Sequence, residues 1–364
     1  MLNKHNLTET RQRFADWWQC SNTDRPLMQV RAWRDVPSAP LVTLPPFSSE
    51  QKHSDINIIL PSYLNFAHSV DFLCEAIPNL NLNFGPGSMA IYTGAQPRFE
   101  TDTVWYEPCI SDISTHPALM FDPDNYWWQR HFSLVEEARK CVGEDMYVCM
   151  PDIVENIDII AAMRDPQELC FDLFDHPEHV KRLIVDTDKL YFEYFDRFLP
   201  LVSIDNTMMF TAFDILGEGK VGKVQSDFAA LIGTEQFDEF CLPSIKQQCD
   251  KLDYSYFHLD GKECIRHLDS LLAIESLSAI QWTPNVGMPD GGNEHWFSMY
   301  DKVRNAGKAM HVFINDGGFD GWLATADKFI KRYGCRGVYL LFPMMTQAQA
   351  QALEHHALTH WGSA

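Results

Sequence analysis

The residues best placed for chemistry lie in a short motif, His258-Leu259-Asp260-Gly261. His258 and Asp260 stand two positions apart on a segment predicted to be extended, so their side chains leave the same face of the strand. A histidine and a carboxylate on one face can share a proton, a small ligand or a metal ion. Gly261 allows a tight backbone turn directly after them. A pattern of only four residues recurs by chance in unrelated sequences. The motif therefore indicates a site only if the fold places it where chemistry can occur.

Other side chains that could bind or react follow the remaining apolar runs of the chain. We predict catalytic roles for His258, Asp260, Asp214 and Asp316, and substrate contacts for Asn83, Trp105, Tyr106, Asp152, Lys220, Asp227, Gln281 and Trp282. Carboxylates that point into one cavity repel one another and should have raised pKa values, which is typical of acid–base sites. The alternative is that many of these aspartates only cap the following helices. Asp227, at the start of a predicted helix, could do either.

The elements that must position these residues are short apolar runs alternating with longer helical patterns. That rhythm predicts parallel βαβ units and a single (β/α)8 TIM-type barrel over residues 1–364, with an amphipathic N-terminal helix. In such barrels the chemistry lies at the carboxyl ends of the strands. An irregular stretch, residues 95–123, predicts an insertion that covers that end as a lid. The predicted strands are Pro26–Val30, Leu80–Phe84, Met146–Met150, Met208–Phe213, Tyr254–Leu259, Ser278–Thr283, Ala309–Ile314 and Gly337–Phe342.

Composition restricts the class of protein. Hydrophobic residues make up 46% of the 364, enough for a large core. The net charge of −21 disfavours nucleic acid and anionic membrane surfaces as partners. The ten cysteines form no CxxC pair, and neither a secretory start nor an apolar run of about 18 residues is found. We therefore expect an enzyme of the cytoplasm that acts on a small molecule.

Three stretches of the sequence resemble the uroporphyrinogen decarboxylase superfamily. They are FGPGSMAIYTGAQPRFETDTVWYEP (Phe84–Pro108), VQSDFAALIGTEQFDEFCLPSI (Val224–Ile245) and YFHLDGKECIRHLDSLLAIESLSAIQWTPNVG (Tyr256–Gly287). The superfamily includes corrinoid-dependent methyltransferases that pass a methyl group to a thiol. The resemblance implies a (β/α)8 barrel, often a homodimer, with a deep cleft at the carboxyl ends of the strands.

The hallmark motifs of both branches are altered. The decarboxylases carry RPPVWxMRQAGR, where this chain has RPLMQVRAWRDV from Arg25 to Val36. The thiol methyltransferases hold zinc with an HxC motif and a cysteine after the last strand. This chain has His258-x-Asp260 and Pro343-Met344-Met345 instead. The resemblance then implies loss of the thiolate-rich site, and a harder zinc site from His258, Asp260 and Glu218 is the remaining option.

The sequence leaves several functions open. The first is methyl transfer with a corrinoid carried on a partner protein, in which Asp214 and Asp227 hydrogen-bond the acceptor. The second is carboxylate-based hydrolysis or lyase chemistry on a sugar-like substrate, with Trp105, Trp282 and Tyr106 stacking on it. Decarboxylation of a carboxylated substrate and a non-catalytic binding role complete the set. We rank methyl transfer first because of the resemblance.

Overall fold

The central feature of the fold is a mostly parallel β-sheet. The computed structural model describes residues 4–153, 156–210 and 213–362. Its strands are β1 (Leu27–Trp33), β2 (Val70–Cys74), β3 (Asn79–Leu80), β4 (Gln96–Phe99), β5 (Val104–Glu107), β6 (Tyr147–Val148), β7 (Thr207–Phe210), β8 (Ile215–Glu218), β9 (Val221–Gln225), β10 (Tyr254–Asp260), β11 (Ala279–Thr283), β12 (Ala309–Phe313) and β13 (Val338–Leu341).

Seven of these strands form one sheet, in the order β2-β1-β13-β12-β11-β10-β9. β2 is antiparallel to β1, whereas the other five pairings are parallel. Every residue of β13 is buried, as expected for a parallel strand with both faces covered. The predicted α/β class with a central parallel sheet is confirmed.

Shorter parallel pairings lie beyond this sheet. β3 pairs with β6, and Met150, just after β6, bridges in parallel to Phe210 at the end of β7. Among the described residues, the ladders do not join into a complete ring. The arrangement is consistent with a TIM-like barrel, and closure into eight strands stays a prediction.

Helices connect the strands and cover the sheet. They are α1 (Leu7–Trp18), α2 (Ser49–Ser54), α3 (Ile56–His68), α4 (Met89–Tyr92), α5 (Tyr126–Val142), α6 (Asn156–Arg164), α7 (Pro166–Asp175), α8 (Pro177–Val202), α9 (Thr234–Gln236), α10 (Leu242–Lys251), α11 (Leu268–Leu272), α12 (Phe297–Asn305), α13 (Gly318–Tyr333) and α14 (Gln347–His356). Short 3-10 turns span Asp227–Leu231, Lys262–His267 and Glu294–Trp296, and π-turns span Phe237–Cys241 and Ala357–Trp361. Among the described residues, no helix combines the length and apolarity needed to cross a membrane.

The N-terminal helix α1 packs at the amino ends of the strands. Its buried face carries Phe14, Trp17 and Trp18. The ring of Trp18 stacks on Tyr254, the first residue of β10, with centroids 4.9 Å apart. Phe14 and Trp17 both contact Tyr339 near the start of β13, each at 5.6 Å. The amphipathic pattern of the first twenty residues thus seals the end of the sheet opposite the predicted site.

One antiparallel hairpin departs from the sequence prediction. The predicted strand Met208–Phe213 begins as β7, but the chain turns back at Asp214 and returns as β8. The strand that pairs with β10 is instead β9, which the sequence did not predict because Gly222 and Lys223 interrupt its apolar run. Glu218 and Lys220 therefore lie at the amino ends of the strands, not at the carboxyl ends.

Candidate active site at the carboxyl end of the sheet

His258, Asp260 and Asp227 meet where two neighbouring strands end. His258 pairs in register with Gln225, the last residue of β9, and Asp227 follows two residues later. One ligand atom from each of the three side chains lies within 4.8 Å of the others. The distance from His258 Nε2 to Asp260 Oδ2 is 3.9 Å, too long for a hydrogen bond and short enough for both to contact one bound atom. The extended geometry predicted for the motif places both side chains on one face.

Gln281 fixes the imidazole of His258. The two residues are opposite one another on β10 and β11, and His258 Nδ1 hydrogen-bonds to Gln281 Oε1. The amide nitrogen of Gln281 donates to Thr283 Oγ1 at 2.9 Å, so its oxygen must accept from Nδ1–H. Burial lowers the pKa of His258 to about 3, with Lys223 acting in the same direction. His258 is therefore a neutral imidazole with its Nε2 lone pair on the side of Asp260.

Asp227 belongs to a pair of carboxylates. Asp158 on α6 accepts hydrogen bonds from the backbone nitrogens of Asp227 and Phe228, at 2.8 and 2.9 Å. Gln225 Nε2 donates to Asp227 Oδ2 at 3.1 Å. Partial enclosure by the cavity walls and the charge of Asp158 raise the pKa of Asp227 to about 7. Burial also raises the pKa of Asp158 and that of Asp260.

A buried ion pair lies beside the carboxylates. Lys223 Nζ contacts both oxygens of Asp152, at 2.7 and 2.8 Å, and both side chains are largely buried. Lys223 lowers the pKa of Asp227 and of His258, so it stabilises the negative charge of the cluster. Asp152, a predicted substrate contact, is thus engaged by Lys223. Lys223 was not predicted because β9 was not predicted; the two-residue spacing of Lys223 and Gln225, which places both on one strand face, was the available signal.

A cavity of about 650 Å³ opens beside Asp227. One wall is formed by β5 of the β4–β5 hairpin, which supplies Val104, Trp105 and Tyr106, and the lining also includes Phe228. Tyr106 is held in place because its hydroxyl donates to the carbonyl of Phe84 at 2.9 Å and accepts from the nitrogen of Gly87 at 3.0 Å. The predicted insertion therefore contributes a wall of the cavity that Asp227 also lines.

Asp214 lies in a separate, smaller cavity of about 250 Å³. Its carboxylate accepts hydrogen bonds from Asn79 Nδ2, at 3.0 Å, and from Gln29. Burial raises its pKa, while the charge of Arg31 opposes that shift. The β7–β8 turn brings Asp214 here and places the ring of Phe213 4.8 Å from the ring of His258. Both turn residues have left-handed backbones, with φ of +52° and +74°, which are uncommon for residues with side chains.

Four further predicted residues, Glu218, Lys220, Trp282 and Asp316, also lie outside the cluster. Glu218 accepts from Asn206 Nδ2 at 3.1 Å, and Lys220 donates to Asp196 at 2.7 Å, both at the amino ends of the strands. Glu218 is therefore not brought to His258 and Asp260, and Asp227 occupies the third position. Trp282 is fully buried against Trp296, because it points to the side of β11 opposite Gln281, and cannot stack on a substrate. Asp316 is exposed and accepts from the backbone of Asp290 at 3.3 Å.

Asn83 lies beside the main cavity in a neighbouring one of about 240 Å³. The two cavities share Pro86, Thr103 and Val104 as lining residues. In the described part of the chain, the Oδ1 atom of Asn83 is buried without a hydrogen-bond partner. Its predicted role as a substrate contact is compatible with this position.

Comparison with known proteins gives a match at the level of the fold. No protein-family profile and no curated protein sequence matches this chain. Among solved structures it is similar to a methyltransferase from Methanosarcina mazei, with a TM-score of 0.62 and 11% sequence identity over 96% of this chain and 98% of that one. The chain therefore has a methyltransferase-like α/β fold, and at this identity the likeness extends to the fold alone.

Proposed function

We propose that this chain is a methyltransferase-like enzyme of the uroporphyrinogen decarboxylase superfamily, which moves a methyl group between a small polar substrate and a corrinoid on a partner protein. The observation that carries the proposal is the meeting of His258, Asp260 and Asp227 at the carboxyl ends of β9 and β10. His258 and Asp260 stand where the resembling thiol methyltransferases carry their HxC motif. The fold shared with a methyltransferase supports the same assignment.

The side chains of the site have separable tasks in this proposal. Gln281 orients His258, and the β4–β5 hairpin shields the cavity from water on one side. When no metal ion is bound to it, Asp227 accepts the proton that a thiol or amine loses when it is methylated. A corrinoid would supply the methyl group, presented at the open side of the cavity, where Trp105 is 56% exposed and Leu231 59%.

A metal ion is implied by the resemblance, and the donor atoms suit one. Gln281 occupies His258 Nδ1, which leaves Nε2 available, and Asp260 and Asp227 offer oxygen atoms within 4.8 Å. One imidazole with two carboxylates fits zinc or a harder divalent cation better than a thiolate-preferring ion. Bound there, the ion would act as a Lewis acid toward the polar acceptor. The metal content of the purified protein tests this ligand set.

Loss of the methylcobalamin spectrum tests the proposed reaction. The protein is mixed with methylcobalamin and a panel of small thiols and amines, and acceptor-dependent demethylation is followed by absorbance. We expect turnover in the wild type and in Glu218→Gln, whose side chain lies at the other end of the strands. His258→Ala should lower the rate by about 100-fold or more, as loss of a general base or metal ligand does. Absence of turnover with every acceptor would refute methyl transfer.

A second candidate is hydrolysis or lyase chemistry on a sugar-like substrate. The adjacent carboxylates of Asp158 and Asp227, in a cavity bordered by the exposed ring of Trp105, favour it. A screen of nitrophenyl glycosides should then find an activity that Asp227→Asn abolishes and Asp316→Asn leaves intact. Decarboxylation has less support, because the described lining of the cavity holds no arginine or lysine for a substrate carboxylate.

A further inference from the structure

The cavity beside Asp227 has an unusual combination of walls. Its lining is largely apolar, with the aromatic rings of Trp105, Tyr106 and Phe228 among its surfaces. The hydroxyl of Tyr106 is occupied by the backbone of Phe84 and Gly87, so Tyr106 offers its ring and not a polar group. A volume of about 650 Å³ is within the range of small-molecule sites.

The charge of the lining has one sign. Asp158, Asp165 and Asp227 line the cavity, and no lysine, arginine or histidine is found among its described lining residues. The neighbouring cation, Lys223, is already paired with both oxygens of Asp152. The three carboxylates accept hydrogen bonds from Gln225 and from backbone nitrogens, but no cation is found among the described lining residues. An anionic ligand would therefore be repelled, whereas a cation would find complementary charge.

Aromatic rings and carboxylates together recognise one class of organic molecule. A cation within about 6 Å of an aromatic ring is attracted to its face, and the effect is largest for tryptophan and for poorly hydrated ammonium groups. An inorganic ion would gain nothing from the apolar walls, since it keeps its own hydration shell or needs several oxygen ligands. An alkylammonium group matches both the rings and the charge.

We propose that this cavity binds a small organic cation, an alkylated ammonium compound, with its charge near Asp227 and Asp158 and its alkyl groups against Trp105. The inference rests on the proposed function in one respect: the small polar substrate carries this ammonium group for recognition, separate from the thiol or amine that accepts the methyl group. It excludes a free carboxylate, phosphate or sulfonate as the main recognition group in this cavity.

Calorimetric titration with choline and with its uncharged isostere 3,3-dimethylbutan-1-ol tests the proposal. The two probes have nearly the same shape and differ in charge. We expect measurable choline binding and at least 10-fold weaker binding of the alcohol. Equal affinity for the two, or no binding of choline, would overturn the proposal.

Variants locate the binding. Trp105→Ala should weaken choline binding by about 3- to 30-fold, the range of a cation–π contact. Trp33→Ala, which removes a tryptophan of similar exposure that does not line the cavity, should leave it unchanged. Asp227→Asn should weaken it further, and Asp205→Asn, at the other end of the strands, should not. Equal losses in Trp33→Ala and Trp105→Ala would place choline elsewhere.

Binding and methyl transfer are measured independently, so their failures can be told apart. Choline binding at Trp105 without any demethylation of methylcobalamin would leave the cation site standing and count against the methyltransferase. Demethylation without choline binding would overturn the cation site alone. Circular dichroism melting curves of each variant confirm that a loss of binding is not a loss of folding.

Discussion

His258 depends on its neighbour for the direction of its lone pair. The side chains of His258 and Gln281 face one another across β10 and β11, and the amide of Gln281 is itself fixed by Thr283. Partners that hold the second nitrogen of a ligating or catalytic histidine set its tautomer and ring orientation. A single side chain on the next strand therefore determines whether Nε2 can act.

At this scale we predict that Gln281→Ala lowers the demethylation rate and the zinc affinity by about 10- to 100-fold. The substitution removes the acceptor for Nδ1–H without changing His258, Asp260 or Asp227, the three proposed metal ligands. Trp282→Phe is the matched control, because the adjacent side chain points away from the site. Equal losses in both variants would indicate general damage to β11 and contradict a positioning role for Gln281.

The positions of residues on regular strands could be predicted from the sequence. The composition of the candidate site could be predicted only in part. The two-residue spacing of His258 and Asp260 on an extended segment sufficed to place them on one face. Asp158 and Lys223 were missed, because their contribution depends on α6 and β9 meeting at Asp227, a contact between segments far apart in the chain. Glu218 and Lys220 were predicted at the wrong end of the sheet. The chain reverses direction at Asp214, which was not predicted, and this reversal places both residues at the amino ends of the strands.

Among the elements, α8 and α10 have a half-buried carboxylate at their contact. Asp188 on α8 accepts a hydrogen bond from Ser244 on α10, and burial raises its pKa from 3.8 to about 6. A carboxyl group with a raised pKa in the folded state disfavours folding once it is ionised. The stability of the fold is therefore unaffected by Asp188 only below the unfolded-state pKa of 3.8, and it falls as the pH rises from there through about 6.

Asp188→Asn should remove the loss of stability that ionisation of Asp188 causes. We expect the variant to melt at a higher temperature than the wild type at pH 7, and the difference to disappear at about pH 3, below the unfolded-state pKa of 3.8, where Asp188 is mostly protonated in both states. An asparagine oxygen can still accept from Ser244. Asp196 forms an exposed ion pair with Lys220, and Asp196→Asn should show no such pH-dependent difference. A lower melting temperature for Asp188→Asn at both pH values would contradict this account.

Across the whole molecule, a buried ion cluster ties the N-terminal region to the sheet. Glu75 follows β2 and accepts from both guanidinium nitrogens of Arg25, at 2.6 and 2.8 Å, and from the backbone of Met28 at 2.8 Å. Arg13 of α1 lies 2.9 Å from the same carboxylate. α1 seals the amino end of the strands, so this cluster stabilises the end of the sheet opposite the candidate site.

Glu75→Ala should lower the free energy of unfolding by about 3 to 5 kcal/mol, because it leaves two arginines without their buried partner. Asp269→Ala, which breaks the exposed pair with Lys302, should cost less than about 1 kcal/mol. Urea denaturation of the two variants measures both values. Similar losses would mean that the buried cluster contributes no more than a surface pair.

The most direct measurement is calorimetric titration of metal-free, reduced protein with Zn²⁺, for the wild type, His258→Ala, Asp260→Asn and Glu218→Gln. We expect one equivalent of zinc to bind to the wild type and to Glu218→Gln. The zinc affinity of His258→Ala and of Asp260→Asn should be at least about 100-fold lower. Binding that Glu218→Gln weakens as much as His258→Ala does, or no stoichiometric binding in the wild type, would contradict a centre built from His258, Asp260 and Asp227.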